Sequence, residues 1–227
     1  GYSPDLEASG IMNIHRLPKY SYYFFQSQRD AAEQSPLFDS GAMVFIASEW
    51  TATSSTNVRV FSNADEVELS LNGKVIARNK PSEDKYSNLL AHPPFEFNVG
   101  SFEAGQLVAK SYIKNKLVAE HHVATPQKPA AIKLIIDESK KTPATGVKDV
   151  VFVYAELLDE QGNSVPLNDE KIEFEAQGDI EILHTNSALT EQGKAAVLIR
   201  IGETLSGAQI KAVAKNLKIH IDVKVIH

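Results

Sequence analysis

From residue 58 to residue 78 the chain reads VRVFSNADEVELSLNGKVIAR, and through its middle the apolar and polar positions alternate. Val67, Leu69 and Leu71 share one phase, and Glu66, Glu68 and Ser70 share the other. That period of two belongs to a strand with one face in a core and the other in water; helical spacing would scatter these residues. Asn72 and Gly73 follow, and both tolerate the positive φ of a type I′ turn, so residues 74–78 return antiparallel. A two-residue loop at this place predicts Leu69 opposite Ile76.

The same reasoning extends along the chain. Strands are predicted at 43–47, 58–61, 67–71, 75–77, 95–99, 107–114 and 117–124, with Asn115 closing the last hairpin and a proline-containing loop at 80–94. Residues 125–129, TPQKP, read as a short stiff linker, because its two prolines withhold backbone donors and favour extended geometry. A second set of strands is predicted at 132–136, 150–158, 171–176, 180–183, 195–201, 209–214 and 217–225. In the last of these Ile219, Ile221, Val223 and Val225 take the inward phase, and Lys218, His220, Asp222 and Lys224 the outward one. Two sets of about seven short strands suit two tandem immunoglobulin-like β-sandwiches, an all-β fold. No sequence repeat relates the halves.

The first 30 residues differ. Pro18 stands at a plausible first helical position, and Tyr20, Tyr23 and Phe24 recur at i, i+3 and i+4, so one amphipathic helix ending near Asp30 is predicted. Packing on its own domain is the plain expectation for that aromatic face. The expected organisation is a helical segment and connector over 1–37, a first sandwich over 38–125 and a second over 126–227.

At 227 residues the chain can bury two cores without a covalent staple. It has no cysteine, which removes disulfides, thiolate nucleophiles and Cys-based zinc sites. A net charge of −6 with scattered Lys and Arg leaves no basic footprint for nucleic acid. No apolar run reaches the roughly 18 to 20 residues of a membrane-spanning helix. The chain opens on Gly1 rather than Met and without a signal-peptide pattern, which reads as a trimmed piece of a longer protein.

Candidate chemistry is sparse. Glu66, Glu68, Glu173 and Glu175 lie on outward strand phases, where solvated, unpaired charge is expected. His121 and His122 are neighbours on a strand and point to opposite faces, so they cannot share one ion without a bulge. Asp159, Glu160 and Asn163 offer oxygens, but the spacing of a calcium-binding hand is missing and a plain turn is the simpler reading. No phosphate loop, nucleophile elbow or zinc-protease helix is present. No catalytic, metal or cofactor residue is therefore assigned, and no cofactor is expected. Sugar stacking needs exposed aromatic rings; Tyr112 and Tyr154 fall within strands, while Trp50 and Tyr86 lie in loops and are the candidate sugar contacts. Core or edge packing is the competing and preferred reading of Trp50.

The motifs SNADEVELSLNGK, HPPFEFNVG, KPAAIKL and AELLDEQGNSVP, in this order and spacing, resemble the region after the catalytic barrel in bacterial glycoside hydrolase family 2 enzymes of the β-galactosidase type. The family often carries a His before the first Trp of this region, where this chain has Glu49. The resemblance implies that SGIMNIHRLPKYSYYFFQSQRD is a remnant of the last helical passage of a (β/α) barrel, with Tyr20, Tyr23 and Phe24 facing that barrel. It further implies a retaining parent enzyme, periplasmic or extracellular, whose two catalytic Glu residues lie in a barrel absent from this chain. The chain itself would then be a non-catalytic accessory region with the barrel as partner; carbohydrate contact and oligomerisation stay open. A carbohydrate-binding module is the alternative, and a structural or adhesive sandwich array a further one.

Overall fold

The computed structural model describes residues 10–137, 142–217 and 223–225, and the chain divides into two compact units, Gly1–Thr125 and Pro126–His227. Both are antiparallel two-sheet sandwiches of the immunoglobulin-like kind. In the first unit a helix, α1 (Tyr20–Ser27), precedes β1 (Val44–Ile46), β2 (Asn57–Ser62), β3 (Glu66–Leu71), β4 (Lys74–Asn79), β5 (Phe95–Asn98), β6 (Gln106–Ile113) and β7 (Lys116–Ala124). One sheet has the order β1-β2-β5 and the other β4-β3-β6-β7. Their inward positions, among them Ile46, Val60, Leu69, Phe95 and Leu107, interleave into one core.

The β3–β4 hairpin turns at Asn72 (φ 51°) and Gly73 (φ 77°), as their tolerance of positive φ dictates. Its register departs from expectation. Leu71 pairs with Lys74 and Ser70 with Val75, but Leu69 then lies opposite Ala77, because Ile76 is the extra residue of a β-bulge. The bulge keeps Ile76 and Ala77 both against the core side. The β6–β7 hairpin turns in the same way at Lys114 (φ 49°) and Asn115 (φ 62°).

The second unit contains β8 (Ala131–Asp137), β9 (Val150–Leu158), β10 (Lys171–Gln177), β11 (Ile180–Leu183), β12 (Ser187–Leu189), β13 (Lys194–Ile201), β14 (Gln209–Ala214) and β15 (Val223–Val225). Its sheets run β11-β13-β9-β8 and β12-β10-β14-β15. Ile132, Val153, Phe174, Ile199 and Ile210 are central to its core. β12 has no counterpart among the expected strands, being only SAL beside polar turns. Leu217 sits in the turn after β14 and does not open a strand. Of the expected final strand, Ile219 and Ile221 lie outside the described residues, and Val223 and Val225 pair with β14.

α1 is shorter than its aromatic pattern suggests. Pro18 precedes it, bridging to Met12. The helix closes at Ser27, whose hydroxyl donates to the Phe24 carbonyl at 2.7 Å while Gln28 N–H turns back to Phe25, a tightened last turn. Tyr23 stacks on Phe45 of β1 with ring centroids 3.6 Å apart, Tyr20 meets the same ring edge-on, and Phe24 meets Phe61 of β2. Tyr23 and Phe24 are thus occupied by the chain's own sandwich, and the aromatic ring that α1 leaves most exposed is Phe25. Among the described residues no helix is long and apolar enough to cross a membrane.

Candidate functional site

The outward carboxylates are exposed or half-exposed as their strand phase requires, yet several are paired. Arg78 donates to Glu66 at 2.6 Å, Lys211 to Glu175 at 3.3 Å, and Lys215 and Lys171 both reach Glu173. These are cross-strand or same-face neighbours, which the register creates and a single strand does not reveal. The lysine hydrogen bond from Lys215 holds the Glu173 carboxyl below its ordinary range, the opposite of what a general acid needs. Among the described residues no three His, Asp or Glu side chains converge on a point where a metal could sit.

The histidine pair separates as strand geometry demands. His122 faces outward and meets Glu120 at 2.8 Å. His121 faces inward, 4.7 Å from the Phe45 ring, and its Nδ1 accepts the Ile46 N–H at 3.2 Å, tying the β7 edge to β1 of the other sheet. Burial, with the neighbouring His122 charge, pushes its pKa below the ordinary value. At Asp159 both carboxylate oxygens are taken: one accepts the N–H groups of Gln161 and Asn163, the other the Gln127 N–H and the Asn163 amide. Burial alone would raise its pKa, and these hydrogen bonds win and lower it. This is a turn stapled to the linker segment, with both Asp159 carboxylate oxygens engaged in holding it.

The two sugar-contact candidates part company. Trp50 is fully buried; its Nε1 donates to the Glu103 carbonyl at 2.9 Å and its ring packs against Phe102. A ring in that position cannot stack on a sugar, so the stacking role of Trp50 is withdrawn and the packing role stands. Tyr86 is 79% exposed on the 80–94 loop, with Lys85 Nζ over its ring. The pair forms no common platform.

What the burial of Trp50 does create is a corner. The loop between β1 and β2 holds Trp50 at φ 43°, a left-handed conformation that a bulky residue adopts only when its surroundings over-determine it. Here they do: Ser48 Oγ accepts the Trp50 N–H, and Thr125 Oγ1 donates to the Trp50 carbonyl. Beside this corner an open cleft of about 220 Å³ is lined by Tyr20, Ala47, Ser48, Glu49, Ser54, Ser55 and Asn57. Burial, and then the Glu49 charge, raise the Tyr20 hydroxyl to about 12, so at neutral pH it stays a protonated donor. Nothing in the hydrophobic pattern points to these residues; the one sequence signal is Glu49 itself, where the resembling family often has His.

The comparisons fit this architecture. Residues 53–119 match the model of a domain of unknown function, DUF4982, and residues 132–220 match glycoside hydrolase family 2 C-terminal domain 5. A β-galactosidase from Thermoanaerobacter pseudethanolicus is 30% identical over 234 aligned residues, covering 96% of this chain and 30% of that enzyme. The β-galactosidase BoGH2A of Bacteroides ovatus is 35% identical over 170 residues, 74% of this chain and 18% of its own length. Among solved structures, a β-glycosidase from Bacteroides vulgatus superposes with a TM-score of 0.77 at 19% identity, over 96% of this chain and 28% of its own, which speaks for the fold. The chain thus spans less than a third of the length of these relatives. With a C-terminal domain model over its second unit and both units aligned to such enzymes in one continuous match, the chain is a C-terminal region of glycoside hydrolase family 2.

Proposed function

We propose that this chain is the non-catalytic accessory region of a retaining, β-galactosidase-like glycoside hydrolase, and that its sandwiches brace the catalytic barrel or rim its entrance. The observation that carries the reading is the lopsided coverage: nearly all of this chain aligns with a β-galactosidase that is more than three times as long. The chemistry is in keeping with it. Glycoside hydrolysis needs two carboxylates flanking one bond, roughly 5 to 9 Å apart, with one held protonated. Here Glu66, Glu173 and Glu175 are engaged by cations, and Glu173 is shifted toward the ionised form.

The contact to the barrel falls on exposed apolar residues of the segment around α1, Ile14 at 59%, Phe25 at 56% and Leu37 at 87%. Tyr23 and Phe24 belong to the inner side of this contact, holding α1 on the sandwich. The parent enzyme would work in the periplasm or outside the cell, which fractionation of the source cells tests.

The deciding assay compares this chain with the parent extended through its upstream region, on aryl β-galactosides, β-glucosides and β-glucuronides. Activity confined to the longer protein is expected. Turnover by this chain that survives repurification and vanishes on replacing one of its own carboxylates would overturn the reading.

A further inference from the structure

The corner beside Trp50 has the composition of a recognition site. Glu49 and Asn57 both line the cleft, and among the described residues neither the Glu49 carboxylate nor the Asn57 side-chain amide has a hydrogen-bond or ion-pair partner. The hydroxyl oxygens of their neighbours Ser48, Ser54 and Ser55 serve local turns, accepting the N–H groups of Trp50, Thr51 and Asn57. The cleft therefore presents one free carboxylate, one free amide and a Tyr20 ring that is 40% exposed. It is held by a left-handed Trp50 that a relaxed loop would not keep, and backbone outliers of this kind concentrate where a side chain must be aimed.

Vicinal hydroxyls of a sugar are the ligand that matches such a set. A carboxylate accepts two O–H donors, an amide both donates and accepts, and an aromatic ring covers the C–H face. We propose that this cleft is a binding subsite for a single neutral sugar residue of a glycan, with Glu49 and Asn57 taking its hydroxyls and Tyr20 flanking its ring, and that it discriminates against uronic acids. The choice of a glycan rests on the hydrolase-accessory reading; the charge preference rests on the cleft alone. A uronate carboxylate placed within a few ångströms of Glu49 meets like charge, and at a near-surface site that repulsion corresponds to about a tenfold loss of affinity.

The test is an NMR titration of the 227-residue chain, following backbone amides, with methyl β-galactoside and with methyl β-glucuronide. Saturable shifts at residues 47–57 and the start of α1 are expected, with the galactoside binding about tenfold more tightly. Glu49→Gln should weaken the galactoside and bring the two ligands to within about twofold of each other, because the amide keeps hydrogen bonding and drops the charge. Asn57→Ala should weaken both ligands alike, and Tyr86→Ala should change neither; unaltered thermal unfolding certifies each variant. The absence of saturable shifts with either sugar, shifts confined to the Tyr86 loop, or equal binding of the glucuronide by the unmodified chain would each overturn the subsite. These outcomes separate from the accessory reading. An empty cleft beside an active extended enzyme sinks only the subsite, whereas a binding cleft in a protein without an upstream hydrolase sinks only the accessory role.

Discussion

Trp50 shows how one residue organises a corner. Its left-handed backbone costs on the order of 1 to 3 kcal/mol, a deficit recovered by burying the indole and by the hydrogen bond to the Glu103 carbonyl. Trp50→Ala should therefore cost about 3 to 5 kcal/mol, and Trp50→Phe, which keeps a ring but strands that carbonyl, about 1 to 3. Urea melts of the two variants check the order. His121 makes the second case at this scale. Its Nδ1 can accept the Ile46 N–H only while the imidazole is neutral, and the groups around it are Phe45, Tyr23 beyond that ring, and His122, itself paired with Glu120. Its folded pKa lies below the unfolded value near 6.5, so as pH falls through 6.5 the unfolded chain binds protons first. The stability tied to neutral His121 is complete above that pH and is lost as pH drops toward the folded pKa. His121→Gln, which retains an acceptor without titrating, should flatten the stability profile over that window in thermal melts taken at stepped pH.

At the scale of elements, the β3–β4 hairpin tests register. Leu69 is fully buried on the phase that Val67 and Leu71 share, while Glu68 points the other way. Leu69→Ala should cost about 2 to 5 kcal/mol and Glu68→Ala less than about 0.5, read from urea midpoints; equal losses would mean that the faces are exchanged. The bulge at Ile76 leaves this expectation intact, because it shifts only the partner strand. α1 is an element whose shape is set from outside. With no side-chain cap at Lys19 and only residues Tyr20–Ser27, it is too short to persist alone, and the rings of Phe45 and Phe61 hold it.

For the molecule as a whole, the division at Thr125 and Pro126 carries a prediction about folding. Residues 126–227 contain a core of their own, from Ile132 through Ala214, and should unfold cooperatively when produced alone. Calorimetry of that piece gives the answer: a single transition supports an independent unit, and a featureless trace refutes it. The linker side is not passive, since the Gln127 N–H is held by Asp159. Asp159→Asn should accordingly lower the melting temperature of the isolated piece.

Strand positions, both glycine- or asparagine-bearing hairpin turns and the all-β class were legible in the sequence, because they arise from local rules: a period of two along a strand and the backbone preferences of Asn72, Gly73 and Asn115. The same locality limited the reading. The bulge at Ile76 and the strand Ser187–Leu189 depend on what the neighbouring segment supplies, and a single segment does not encode its neighbour. The candidate site was scarcely legible at all. Whether Trp50 is a platform or a plug is settled by Glu103 and Thr125, 53 and 75 positions away; whether Glu66 and Glu173 are free is settled by Arg78 and Lys215. Sequence determined the alternation that builds the two sandwiches, and tertiary structure decided which polar groups were consumed within each of them and which, at Glu49 and Asn57, were left facing a cleft, because hydrogen bonds and ion pairs form between residues that only folding brings together.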